Sequence, residues 1–405
     1  MSRSLSMVAA LSATAVLAAG CGSGGSGGSA GGSGGSGSSG SSGAKVPNLT
    51  VSSFTNDFSA MSKLSGLVKK GKGKIAVILP DTTTSARYTE FDAPYLKESF
   101  QKAGLSSGDY IVQNAHGSDS TQLTDAQSDI TNGASVLIVD PLDAGVGAQI
   151  EKYGTQHGAK VIDYDRLTLG GDRDYYVSFN NVEVGKLIGN GMVSCASKWG
   201  VKNPNMIVMR GDPTDNNATL FAQGYDGVLK PKFSSGWKQA ATPAGTWDPP
   251  TAETEFQQAL TANKGVNSVL VPNDENAAPI INYLQSQGVK PNSFPVTGQD
   301  ATLVGLQNIL TGYQCGTAYK PIYLEAQAAA ALGVYLRAGV TPPSDLVNGT
   351  TQDTKEHKAV KSVLLKPEWV TPKNMESTIV ADKFVPVSQL CKGKYAKACA
   401  KYGIK

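Results

Sequence analysis

The chain has 405 residues, 17% of them charged, with a formal net charge of +3. That balance is too small to argue for a nucleic-acid partner, and no face reads as polybasic. The length and the 40% hydrophobic content leave room for two ordinary domains.

Arg3 precedes a mostly apolar stretch from Met7 to Ala19, too short to span a bilayer as a stable helix. It predicts a secretory signal over residues 1–20. Ala18-Ala19-Gly20-Cys21 resembles a bacterial lipobox, which would make Cys21 the lipidated first residue of the mature chain; an ordinary cleaved signal is the alternative. From Cys21 to Gly43 the sequence is almost pure Gly and Ser, which behaves as a flexible tether. The random-coil rule gives it an end-to-end distance of about 25 Å. Residues 21–73 are assigned to this tether and a lead-in.

The body then alternates strand and helix patterns. Lys74 to Pro80 reads as a buried strand, Tyr95 to Gly104 as a helix with a glycine stop, and Asp109 to Asn114 as a strand. A helix from Thr121 to Asn132, a strand from Ser135 to Asp140, a helix reaching Gly158 and a strand ending at Asp165-Arg166 follow. After Tyr175 to Asn181 the alternation restarts with a long helix, Val182 to Lys198, and strands near 205, 237, 268 and 295. Continuous apolar strands separated by helices imply parallel sheets covered on both faces. Two such sets predict two similar lobes.

Gln314 to Pro321 is strand-like and feeds an alanine-rich helix, Ile322 to Ala338, and Ala359 to Leu365 reads as a last strand. Together with Tyr175 to Asn181, these predict three strands joining the lobes, a hinge that permits closure about a defined axis. The expected division is 74–178 with 321–360 in the first lobe, 179–320 with 361–390 in the second, and a tail over 391–405.

Cys21 aside, four cysteines remain, an even count that suits an oxidising compartment. Cys391 and Cys399 lie close together and are paired here, leaving Cys195 with Cys315; free buried thiols are the alternative. The tail from Cys391 carries five lysines and reads as a basic, stapled cap or a contact to an acidic surface. His116, His157 and His357 are scattered, no His or Cys pair has metal-ligand spacing, and no phosphate-loop sequence is present. Neither an enzyme, nor a metal site, nor a cofactor is expected.

What the strands share is a polar end. Lys160 to Arg166, Asn205 to Gly211 leading into Asp215-Asn216-Asn217, Ser268 to Asp274 and Pro295 to Asp300 each finish in carboxylates, amides or an arginine. In open α/β sheets ligands sit beyond the carboxyl ends of the strands. Fixed acceptors and donors of this kind suit a hydroxylated molecule, because a hydroxyl both donates and accepts. With no obvious nucleophile beside them, they predict binding more than chemistry. Asp215 has a second reading, as the N-cap of the helix that follows it.

The strings Asp163-Tyr164-Asp165-Arg166, Asp212 to Ala218, Asn273-Asp274, Gly298-Gln299-Asp300 and Tyr319-Lys320-Pro321 resemble those of the periplasmic sugar-binding proteins of ABC importers, of the ribose and xylose type and notably the D-xylose binders. The likeness runs from about Lys74 to Val387. It implies an α/β fold of the type I periplasmic binding protein class, with two Rossmann-like lobes, parallel sheets and a three-strand hinge. It also implies one monosaccharide in the cleft, an ABC permease as partner and a monomer. Carried over position by position, Arg87, Asp165 and Arg166 would contact the sugar from the first lobe. Asp215, Asn217, Asn273 and Asp300 would do so from the second, and Lys320 from the hinge. Tyr88 and Trp247 stand where the family sets rings against the sugar; Tyr88 replaces the tryptophan of the xylose binders. A repressor of the same fold would need a helix-turn-helix, and residues 1–73 read as signal, tether and lead-in. A sugar sensor presenting its closed form to a membrane receptor is the alternative to transport. The expected location is the outer face of the cell membrane, or the periplasm.

Overall fold

The computed structural model describes residues 46–405; the expected signal segment, Cys21 and the Gly/Ser tether lie outside the described residues. After a short helix α1 (Ser65–Val68) come β1 (Lys74–Leu79), α2 (Ala93–Ala103), β2 (Tyr110–Asn114), α3 (Asp119–Thr131), β3 (Ala134–Val139), α4 (Ala144–Gln156), β4 (Lys160–Tyr164) and β5 (Tyr175–Phe179). The second set is α5 (Asn181–Lys198), β6 (Asn205–Val208), α6 (Asn216–Phe233), β7 (Lys238–Ala241), α7 (Pro249–Ala262), β8 (Ser268–Leu270), α8 (Asp274–Ser286), α9 (Leu303–Thr311) and β9 (Thr317–Tyr319). The chain ends with α10 (Ile322–Arg337), β10 (Gly349–Asp353), β11 (Lys358–Leu365), β12 (Glu368–Val370), α11 (Val387–Leu390) and α12 (Ala396–Tyr402).

Sequence chemistry explains the boundaries. Side chains of Ser118, Asp143, Asn180, Asp215, Asp248, Asn273 and Thr302 cap the helices that follow them by accepting from backbone N–H groups. Gly104 and Gly312 end α2 and α9 in the left-handed conformation.

The seven-stranded first sheet has the order β10-β11-β5-β4-β3-β1-β2, parallel except for the β10–β11 pair. The second lobe repeats the scheme: β7-β6-β8 form a parallel sheet, Val296 bridges to Val269, and Gln299 bridges to Ala318 beside β9 and β12. In both lobes the first strand lies between the second and third, so each has a switch point at which the connections diverge.

Two expectations change here. The strand near 295 reduces to single bridges, because the Thr297 hydroxyl bonds both the N–H and the C=O of Val271 where ladder bonds would run. All of β11 belongs to the first sheet, paired in parallel with β5 from Ser362–Tyr176 to Leu365–Phe179, so the chain leaves the first lobe after Leu365 and not at 360. The three passages between the sheets follow Phe179, Tyr319 and Leu365.

Residues 46–73, read as lead-in, are folded: Leu49, Phe54, Met61, Leu64 and Leu67 are buried in the main core, and this segment packs on α2 and α10. Helix α10 lies over β1, β3 and β4, its run Ala328–Ala331 fully buried, since methyl side chains allow close approach. Helices α5 and α6 cross at Gly185 and Gly224, where a Cβ on either would meet the backbone of the other. Both expected disulfides are present: Cys195 of α5 with Cys315 ahead of β9, and Cys391 with Cys399. The tail buries Cys399 and Ile404 against Leu306, Ile309 and Leu310 of α9, which makes it part of the second lobe's core.

Candidate ligand-binding site

The polar strand ends converge on one cleft between the lobes, lined by all ten residues singled out in the sequence. Arg87 and Tyr88 come from the segment after β1, Asp165 and Arg166 from the end of β4, and Asp215 and Asn217 from the start of α6. Trp247 follows β7, Asn273 caps α8, and Asp300 and Lys320 lie on either side of α9 and β9. Asp165 and Asp300 have φ of +57° and +87°. Asp is among the few residues found there, and the turn swings each carboxylate off its strand line into the cleft.

Arg87 is clamped from behind. Its Nε and Nη2 donate to Asp92 at 2.8 and 2.9 Å, Nη2 donates to Glu325 at 2.7 Å, and Nη1 donates to Asp165 at 2.7 Å. Those bonds use four of the five guanidinium donors and leave one Nη1–H. Tyr164 donates to Asp92 from the other side, which fixes the clamp. Arg166 donates through Nη2 to the Tyr88 hydroxyl at 2.8 Å, and its Nε lies 3.3 Å from Asp215 and 3.5 Å from Asp140. Lys320 Nζ sits 3.0 Å from Asp300 and 3.9 Å from Asp165.

Asp215 fulfils both of its sequence readings with different oxygens. Oδ1 accepts from Asn217 N at 2.8 Å as the cap of α6, while Oδ2 accepts from Trp247 Nε1 at 2.9 Å. The Trp247 ring is pressed over Gly211, where any Cβ would collide with it, and meets Phe221 edge to face at 6.4 Å. Asn217 Nδ2 donates to the Asp165 carbonyl at 3.1 Å, while its Oδ1 accepts from Asn181 Nδ2 at 2.8 Å. This ties α6 to the first lobe beside the hinge.

Burial alone would raise the Asp165 carboxyl, but Arg87, Lys320 and Arg166 outweigh it and hold the group below its ordinary value. Lys320 is the mirror case: burial opposes its charge, yet Asp300 and Asp165 raise it above the usual ammonium value. Asp215 is pushed up by burial against the pull of Arg166. The cleft therefore presents fixed charges of both signs beside the rings of Tyr88, Phe221 and Trp247.

Thr84, Ser85, Phe221 and Gln299 also line the cleft and were not singled out. Phe221 stands four residues after Asn217 on one helix face, a spacing that could have revealed it. Gln299 was quoted in its string without a role. Ser85 had no signal, because its position depends on a turn organised by Asp81, which accepts from Thr83 N and Thr84 N. Asp163 points away from the cleft to Thr168 N and Arg173. Among the described residues no helix is long and apolar enough to cross a membrane.

Residues 75–339 match the family model described as a periplasmic binding protein domain. A D-xylose-binding periplasmic protein of Escherichia coli (strain K12) is 36% identical over 300 residues, covering 73% of this chain and 87% of that protein. A multiple sugar-binding periplasmic receptor of Rhizobium radiobacter is 31% identical over 339 residues, covering 79% and 92%. The crystal structure of a carbohydrate transporter solute binding protein from Chloroflexus aurantiacus, in complex with D-glucose, matches with a TM-score of 0.69 at 26% identity, over 78% of this chain and 97% of that one. With two repeated parallel sheets, a cleft at their switch points and these matches, the chain belongs to the periplasmic binding protein family.

Proposed function

We propose that the protein is a lipid-anchored solute-binding protein that captures a monosaccharide, D-xylose or a related aldose, and delivers it to the permease of an ABC importer. The observation that carries this reading is the convergence of three carboxylates, three amides, three cations and three aromatic rings on one cleft between the lobes. Sugar hydroxyls would take up the remaining donor of Arg87 and share Lys320, Asp165, Asp300, Asn217 and Asn273, as charge-assisted bonds do best in a dry site. Tyr88 and Trp247 would supply apolar area for the C–H faces of the ring. Bonds from the second lobe form fully only when the cleft is shut, so the sugar stabilises closure by its differential affinity for the two forms. The Gly/Ser tract would hold the body off the membrane while Cys21 carries the lipid.

The test is isothermal titration of the full chain carrying Cys21→Ser against D-xylose, D-ribose, L-arabinose, D-glucose and D-galactose. Tight binding of one aldose, lost in Asp165→Ala and Asp300→Ala, supports the reading; silence across the panel overturns it. Loss of uptake of that sugar in a deletion strain tests delivery, and the mass of the mature N-terminal peptide tests lipidation.

A further inference from the structure

Beside the cleft, one carboxylate of the second lobe holds the first lobe without lining the cleft. Glu275, in the first turn of α8, accepts through Oε1 from the Ser85 hydroxyl at 3.0 Å and from Ala86 N at 3.3 Å. Those two donors lie in the loop between β1 and Arg87, some 190 positions away in the chain and on the opposite lobe. Both ends of the contact are braced. The loop is fixed by Asp81, whose Oδ1 accepts from Thr83 N at 2.9 Å and Thr84 N at 2.7 Å. Across from it, Asn273 Nδ2 donates to Glu275 Oε2 at 3.4 Å, while Asn273 Oδ1 caps α8.

We propose that Glu275 is a positioning residue for closure: a latch across the lobes that sets how readily the cleft shuts, whichever sugar lies inside. This rests on the sugar-binding reading of the same cleft. The contact is between a side chain and a backbone N–H plus the hydroxyl of Ser85, which lines the cleft but has its proton committed to Glu275, so it discriminates little between sugars. Its free energy enters the open–closed equilibrium, and the apparent affinity for every ligand scales with the population of the closed form. Residues that touch the sugar act differently, because each hydroxyl orientation engages a different subset of them.

The surroundings specify what Glu275 contributes. Among the described residues no cation pairs with it, and burial together with the nearby Asp300 charge pushes its carboxyl above the ordinary range. The acceptor oxygen matters, and the negative charge does not help. Gln at this position keeps the oxygen that faces Ser85 and Ala86 and removes the repulsion from Asp300, giving up only the long 3.4 Å bond from Asn273 Nδ2, whereas Ala removes the latch.

The experiment compares wild type, Glu275→Ala and Glu275→Gln in the full chain carrying Cys21→Ser. Small-angle scattering of the sugar-free proteins reads the open–closed balance, and titration with the five aldoses reads affinity. Glu275→Ala is expected to enlarge the sugar-free radius of gyration and to weaken every sugar that binds by the same factor, about tenfold for two lost hydrogen bonds. Glu275→Gln is expected to stay within about twofold of wild type, the change of a bond kept in place. An unchanged radius and affinity in Glu275→Ala overturn the proposal, as does a loss confined to one sugar, which would make Glu275 a ligand contact. A Glu275→Gln protein as weak as Glu275→Ala overturns the acceptor role. The scattering arm needs no ligand, so it still tests the latch if the wild type binds none of the sugars.

Discussion

Lys320→Met removes the buried ammonium of the hinge while keeping most of its volume. Asp165 still has Arg87 at 2.7 Å, but Asp300 is left with only Gln299 Nε2 at 3.3 Å. One buried carboxylate thus loses its cation, a change that costs about 3–5 kcal/mol. Burial opposes the charge of Lys320 itself, but Asp300 and Asp165 raise it above the usual ammonium value. Urea unfolding of both proteins at pH 7 measures the gap. A difference below about 1 kcal/mol would refute the reasoning that Lys320 compensates a buried charge.

Removing the Cys195–Cys315 bridge as the double alanine variant opens a loop with a sequence separation of 120, which the chain-entropy model values at about 5 kcal/mol. Urea unfolding should show that loss, with sugar affinity retained because neither cysteine lines the cleft. Gly211→Ala should displace Trp247 and weaken binding at least tenfold with little change in stability, as read by titration and tryptophan fluorescence. In Asp165→Ala the Arg87 and Lys320 donors both lose an acceptor, so binding should weaken by roughly 2–4 kcal/mol in titration.

The parts of this molecule that could be read from sequence are those whose cause is local. Strand β1 is a run of apolar residues because it is covered on both faces, and that run is visible without a structure. Asp165, Arg166, Asp215, Asn217, Asn273 and Asp300 were visible as polar groups at strand ends, where the doubly wound topology collects them, whereas Arg87, Tyr88, Trp247 and Lys320 were legible only through the family resemblance. What escaped depends on distant partners. Residues 46–73 show little periodicity, yet their apolar side chains find a place on α2 and α10. β10 exists only as the partner of β11. The strand near 295 fails because one threonine hydroxyl takes over two ladder bonds, which composition does not reveal. Phe221 reads as ordinary core until Lys320 is found 5.9 Å from its ring.

The crossing of α5 and α6 at Gly185 and Gly224 brings two backbones together with no side chains between them. Such a seam has no rotamers to reshuffle, so it transmits displacement like a weld. Asn217 and Phe221, which face the cleft from α6, and Cys195, which bolts α5 to the strand leading into the hinge, are carried on that one stiff frame. A swing of the lobes would carry the second lobe's share of the cleft as a preset stamp, with the motion taken up in the three short passages after Phe179, Tyr319 and Leu365. Shape is thereby stored in the lobe, and recognition spends little conformational entropy in assembling it.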